Sequence, residues 1–302
     1  MNENKKDFAL LIGSAFVAGV IAGSAMIYSV GKKTSNAPTA IINDAVNDGI
    51  ELPFDWNGLG AKLVASGAVD AEKFKALYAG RGLDDELENL LKTGAGGRVI
   101  INSKNSGLLL NLLWAYGLSS KNKILEEGPM SDSRYGGAGG FASTGGWTLA
   151  VGNAMDHYSA HNYVILTEKQ QSLVERVAKN IYRPCCGNSV YFPDCNHGMA
   201  MLGLLELMAS QGVDEKAMYQ AALAANSLWF PDQYSVIARY FASQGTNWND
   251  VDPKTVLGAA YSSASGYRRV AAEVGNAGSG GGSCGVDAAP SRPSRSSGCG
   301  VE

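Results

Sequence analysis

Three of the five cysteines and one of the three histidines fall in one short stretch, Cys185-Cys186-Gly-Asn-Ser-Val-Tyr-Phe-Pro-Asp-Cys195-Asn-His197. Soft, polarisable ligands that fall together point to chemistry at sulfur. Cys185, Cys186, Cys195 and His197 are the inventory of a four-coordinate site, which needs ligand atoms about 2.0–2.3 Å from one ion. Gly187 and Pro193 supply turns that could fold the segment back on itself. Zinc and copper are the metals such a donor set favours.

The pattern continues as Cys195-x-His197-x-Met199-x-Met201, and thioether beside thiolate suits cuprous ion. On a helix, however, Cys195 shares a face with Met199 and His197 with Met201. Leu202, Leu204, Leu205 and Met208 follow, so the methionines read first as core filler. His157 and His161 form His-x-x-x-His beside Asp156, and a helix over Trp147–His161 would place both imidazoles on one face as a second candidate metal site.

Two other chemistries use the same residues. One is a thiol-dependent oxidoreductase or transferase with a cysteine nucleophile and His157 or His161 as base. The other is a helical interaction module braced by a disulfide from Cys185 or Cys186 to Cys195. The absence of Cys-x-x-Cys weakens a thioredoxin-like reading. The glycine-rich Tyr135–Gly146 lacks the Gly-Lys-Ser/Thr ending of a phosphate loop, so it reads as a loop over the body with no role for Ser143 or Thr144. Lys+Arg 25 against Asp+Glu 28 gives a formal charge of -3, which offers no electrostatic case for nucleic acid.

The elements that must position these residues read as all-α. Asp70 caps a helix over Ala71–Ala79, and Asp84 or Asp85 opens another through Leu91. Thr167-Glu-Lys-Gln170 is a capping box for a helix running to about Tyr182, ended before Pro184. Leu108–Tyr116, apolar nearly all round, predicts a central buried helix. Further helices are expected over 195–211, 214–227, 232–243, 253–261 and 265–274. Val99-Ile100-Ile101 is strand-like but too short and isolated to predict a sheet.

A near-repeat bears on the cysteine segment. Tyr191-Phe-Pro-Asp194 and Trp229-Phe-Pro-Asp232 each begin a helix, with Asp read as the cap. Each helix closes on Ala-Ser-Gln-Gly, at Gly212 and Gly245. The second copy carries no Cys, His or Met where the first has Cys195, His197 and Met199, so those residues are an addition to a helix the scaffold can form without them.

Outside this body, residues 8–30 form an uncharged, mostly apolar run of about 34 Å as a helix, read as a single transmembrane anchor rather than a cleaved signal peptide. Gly19 and Gly23 give it a small-residue face that permits a homodimer. Residues 31–48 read as a polar spacer, 49–274 as one helical soluble domain on the extracytoplasmic side, and 275–302 as a disordered Gly/Ser-rich tail. That tail holds Cys284 and Cys299, thiols that could capture or pass on an ion. The expected function is membrane-anchored binding and handling of a soft metal, with a metal ion or thiol as partner.

Overall fold

The computed structural model describes residues 49–277. The chain enters through strand β1 (Ile50–Asp55), followed by helices α1 (Leu59–Ser66), α2 (Ala71–Tyr78) and α3 (Asp84–Leu91). Strand β2 (Arg98–Ile101) then pairs antiparallel with β1, in the register Ile50↔Ile101, Glu51↔Ile100 and Asp55↔Arg98. This two-stranded sheet corrects the all-α expectation, although the structure is about 60% helical. The missed strand contains Pro53, which lacks an amide hydrogen and reads as a breaker. A two-stranded ribbon tolerates it, because the ladder is irregular between Glu51 and Asp55. Leu52, Phe54 and Trp56 alternate into the core, as the period of a half-buried strand requires.

The centre is a pair of helices, α4 (Ser106–Ser119) and the later Asn196–Ser210, packed backbone to backbone. α4 is buried along nearly its whole circumference, from Leu108 through Ser119. Two glycines set the crossing. A Cβ on Gly203 would sit 2.5 Å from the Leu113 carbonyl oxygen, and one on Gly117 would collide with the Met199 carbonyl. Only glycine lets these two backbones approach so closely.

Between the pair run two short helices, α5 (Lys123–Glu127) and α6 (Ala142–Gly145), and then α7 (Glu168–Ala178). Thr167 and Gln170 form the expected capping box on α7, but that helix stops at Ala178 rather than near Tyr182. The second central helix is α8 (Asn196–Ser210). It is followed by α9 (Glu215–Trp229), α10 (Pro231–Ser243), α11 (Pro253–Leu257), α12 (Ala259–Ser262) and α13 (Ala264–Ala277). Gly258 divides the expected 253–261 helix into α11 and α12. Met199, Met201, Leu202, Leu204, Leu205 and Met208 are all 0–1% exposed on α8, each contributing about 1.5–3 kcal/mol of apolar burial. The methionines are core side chains.

One polar residue interrupts that apolar helix. Glu206 has no solvent exposure, and no group among the described residues meets either carboxylate oxygen at full hydrogen-bond geometry. Burial pushes its carboxyl pKa well above the ordinary range, outweighing the opposite pull of Ser120 and Asn122.

The single-pass anchor is not supported. Among the described residues no helix is long and apolar enough to cross a membrane, and the membrane and extracytoplasmic expectations are without support there. The run 8–30, the Gly19/Gly23 face, the 31–48 spacer and tail residues Cys284 and Cys299 lie outside the described residues.

Candidate metal centre

After α7 the chain turns extended, and two backbone ladders fold the next segment into a closed loop. Val190 donates to the Ile181 carbonyl (2.9 Å) and Tyr191 to the Ala178 carbonyl (3.2 Å). Tyr182 is tied to Leu257 across the core (2.8 Å), and Ala264 N–H donates to the Cys186 carbonyl (2.9 Å). The glycine-rich loop braces the far side: Ser143 N–H donates to the Asp194 carbonyl (3.2 Å), and the Trp114 indole donates to the Ser143 carbonyl (2.6 Å). The loop is thus an ordered support, and Ser143 acts through its backbone.

Within this frame the sulfurs of Cys185, Cys186 and Cys195 all lie within 4.8 Å of one another, with Cys185 and Cys195 in contact at 3.6 Å. All three are free thiols. Cys185 is exposed, Cys186 half-buried and Cys195 buried, so the cluster runs from solvent to the root of α8. Among the described residues this is the one group of three Cys, His, Asp or Glu ligands that converges so tightly. These three cysteines could hold a metal ion.

Cys195, not Asp194, is the N-cap of α8. Its sulfur accepts from Gly198 N–H (3.4 Å), meeting one of the amides that a helix start leaves open. Asp194 is occupied elsewhere, because its carboxylate accepts from the Arg183 guanidinium (Nη2, 2.7 Å) and from Asn188 Nδ2 (2.8 Å). The second copy of the near-repeat differs again: Pro231 takes the first helical position after Phe230, and Asp232 lies in the first turn. Both copies do end on a glycine with positive φ, Gly212 and Gly245.

Arg183 is the residue that sequence reasoning missed. Its side chain is 1% exposed and lies at the base of the loop. Nε donates to Cys195 Sγ (3.2 Å), Nη1 to the Asn188 carbonyl (2.8 Å), and Nη2 to the Phe192 carbonyl (3.3 Å) as well as to Asp194. The planar fork therefore joins the cluster, the loop backbone and the carboxylate in one fixed geometry. Burial works against its charge, but the neighbouring cysteines, Cys195 foremost, outweigh it and hold the pKa above the usual arginine value. Gly198 makes room for it, since a Cβ there would collide with the guanidinium. The sequence signal was an arginine directly before Pro-Cys-Cys, with a lone aspartate at the other end of the loop.

The electrostatics separate the thiols. Contacts with Cys185 and Cys186, then the Arg183 charge, hold Cys195 well below the ordinary thiol pKa despite its burial. Cys185 is raised by its contacts with Cys186 and Cys195 and by burial. For Cys186 the contact with Cys185 lowers the pKa, while that with Cys195 and burial outweigh it and bring it to about 11. The buried member is thus the first to carry negative charge.

The histidines stand apart from the sulfurs. His197 is not part of the converging group. Its Nδ1 lies 2.8 Å from Asn196 Oδ1, and its ring packs on Phe230 at 4.3 Å between centroids. Burial lowers its pKa to about 4, with Arg183 adding to the effect and Cys195 opposing it. His157 and His161 do not share a helical face, because Trp147–His161 is mostly loop with a single 3-10 turn at Ala154–Asp156. They meet nonetheless: His157 Nδ1 lies 3.1 Å from His161 Nε2, while His157 Nε2 faces the Val151 carbonyl at 2.9 Å. A carbonyl only accepts, so His157 Nε2–H is the donor to Val151. Burial, with His157 beside it, lowers the His161 pKa.

Comparison of the chain with protein-family models, with curated proteins and with solved structures found no match.

Proposed function

We propose that Cys185, Cys186 and Cys195 bind one soft transition-metal ion, zinc or cuprous copper, as a three-thiolate site open to solvent on the Cys185 side. The observation that carries this reading is the convergence of the three sulfurs within 4.8 Å. At a Zn–S length of 2.3 Å, ligand sulfurs stand about 3.8 Å apart in a tetrahedron and about 4.0 Å apart in a plane. The Cys185–Cys195 separation of 3.6 Å is already close to both values, and the separations to Cys186 are within 4.8 Å. All donors are sulfur, which favours the thiophilic ions over calcium or magnesium. Arg183 offsets part of the negative charge that three thiolates concentrate, and its Nε–H fixes the lone-pair direction of Cys195 as outer-shell donors do at metal sites. Cys185, at the exposed edge, leaves room for a fourth ligand from solution, which suits acceptance and release of the ion.

A cysteine nucleophile with a histidine base is less well supported, because His157 is engaged by His161 and the Val151 carbonyl rather than by a cysteine. The test is anaerobic titration of the reduced full chain with zinc and with cuprous ion, followed by sulfur-to-metal charge-transfer absorption and elemental analysis. About one ion per chain is expected, lost in Cys185→Ser and Cys195→Ser. Equal metal content in wild type and both variants would remove the reading.

A further inference from the structure

The cluster pairs an exposed sulfur with a buried one. Cys185 Sγ touches Cys195 Sγ at 3.6 Å, and Cys195 is held from behind by Arg183 Nε–H and Gly198 N–H. Two donors on its inner side leave the Cys195 sulfur facing Cys185. The third thiol has oxygen partners as well: Cys186 donates towards the Asn188 carbonyl (3.7 Å) and Asp194 Oδ1 (3.8 Å). A bond between adjacent cysteines is also disfavoured by the chain itself. Consecutive Cα atoms lie about 3.8 Å apart, below the range of roughly 4.4–6.8 Å that disulfides span.

We infer that Cys185 and Cys195 form a reversible disulfide, with a small soluble disulfide such as oxidised glutathione as oxidant, and that this bond switches the metal site off. The consequence for metal rests on the three-thiolate reading, whereas the bond itself does not. Cys185 Sγ attacks one sulfur of the oxidant; a Cys185–S–SR bond forms, RS–SR breaks, and the first RSH leaves with the Cys185 proton. Cys195 Sγ then attacks Cys185 Sγ; the intrachain bond forms, Cys185–SR breaks, and the second RSH leaves with the Cys195 proton. The two cysteines lose two electrons and the oxidant gains them. Exposure and contact assign the order, since Cys185 is the most exposed of the three sulfurs and Cys195 touches it at 3.6 Å. The product keeps Cys186 alone as a thiolate donor, too few to hold the ion.

The experiment incubates metal-free full-length chain with oxidised glutathione, alkylates the remaining thiols, and maps peptides by mass without reduction. A parallel sample carries Cys284→Ser and Cys299→Ser. A Cys185–Cys195 bond with Cys186 alkylated is the expected product in both. A Cys185–Cys186 or Cys186–Cys195 bond, a bond from Cys185 to a tail cysteine, a persistent glutathione adduct or no reaction overturns the proposal. Zinc and cuprous-ion uptake is then measured before oxidation, after it, and after dithiothreitol, with loss and full return expected. Uptake unchanged by a mapped Cys185–Cys195 bond overturns the switch. Should that bond form while even the reduced chain takes up no metal, the metal reading fails and the thiol–disulfide chemistry stands.

Discussion

Arg183→Met is the most informative single perturbation, because it removes the charge and the fork while keeping an unbranched stem. Arg183 is 1% exposed and its partner Asp194 22%, so the pair is largely shielded from water. The substitution strands the Asp194 carboxylate and removes the donors to the Asn188 and Phe192 carbonyls and to Cys195 Sγ. Deleting one member of a buried pair costs about 3–5 kcal/mol. Asp194 keeps Asn188 Nδ2 and some solvent, which places the expected loss at the lower end, about 3 kcal/mol. Urea unfolding of the reduced, metal-free chain measures it as a shift in midpoint at constant slope. Thiolate absorbance against pH should show the first cysteine titration moving upward, because a cation next to Cys195 has gone. Asp194→Asn in the Arg183→Met background should restore part of the stability by removing the stranded charge. A loss below about 0.5 kcal/mol, the range of ordinary surface changes, or an Asp194→Asn effect that adds to the cost, would refute the reasoning.

Gly203→Ala places a Cβ against the Leu113 carbonyl, where neither backbone can yield, so thermal unfolding should show a loss of about 3 kcal/mol; a neutral result would mean the two central helices can slide apart. Glu206→Gln should raise stability at pH 7. The folded protein keeps a proton that the unfolded chain releases above the ordinary carboxyl pKa, so stability falls by about 1.4 kcal/mol per pH unit from there up to the raised pKa. His197 acts in the opposite sense: its pKa of about 4 means stability is lost as pH falls from the ordinary histidine value towards 4. The two oppose each other between roughly pH 4.5 and 6.5, and Glu206→Gln should unmask the rise due to His197; parallel denaturation profiles for variant and wild type would contradict this. His197→Phe should leave metal stoichiometry unchanged, because the imidazole stacks on Phe230 outside the sulfur group; loss of the ion would make His197 a ligand after rearrangement.

Local signals were legible where the physics is local. Asp70 accepts from Glu72 and Lys73 N–H, Thr167 and Gln170 cap α7 reciprocally, and the all-apolar Leu108–Tyr116 lies in the buried α4. The sheet was not legible, since β1 and β2 are separated by three helices and Pro53 disguises the alternation of Leu52, Phe54 and Trp56. Nor was the cap of α8, because Asp194 is the better capping residue in isolation but is drawn to Arg183, leaving the position to Cys195.

By itself the sequence determined the inventory: three cysteines in one loop, a histidine after them, and a helix start that must collect open amides. Which of these meet was decided only in three dimensions. The loop closes on the end of α7, a buried arginine orders it from within, and the three sulfurs converge while His197 turns onto an aromatic face. Composition records which donors exist. Their distances depend on contacts between Arg183, Asp194 and the start of α8, and neither hydrophobic period nor capping preference encodes those contacts.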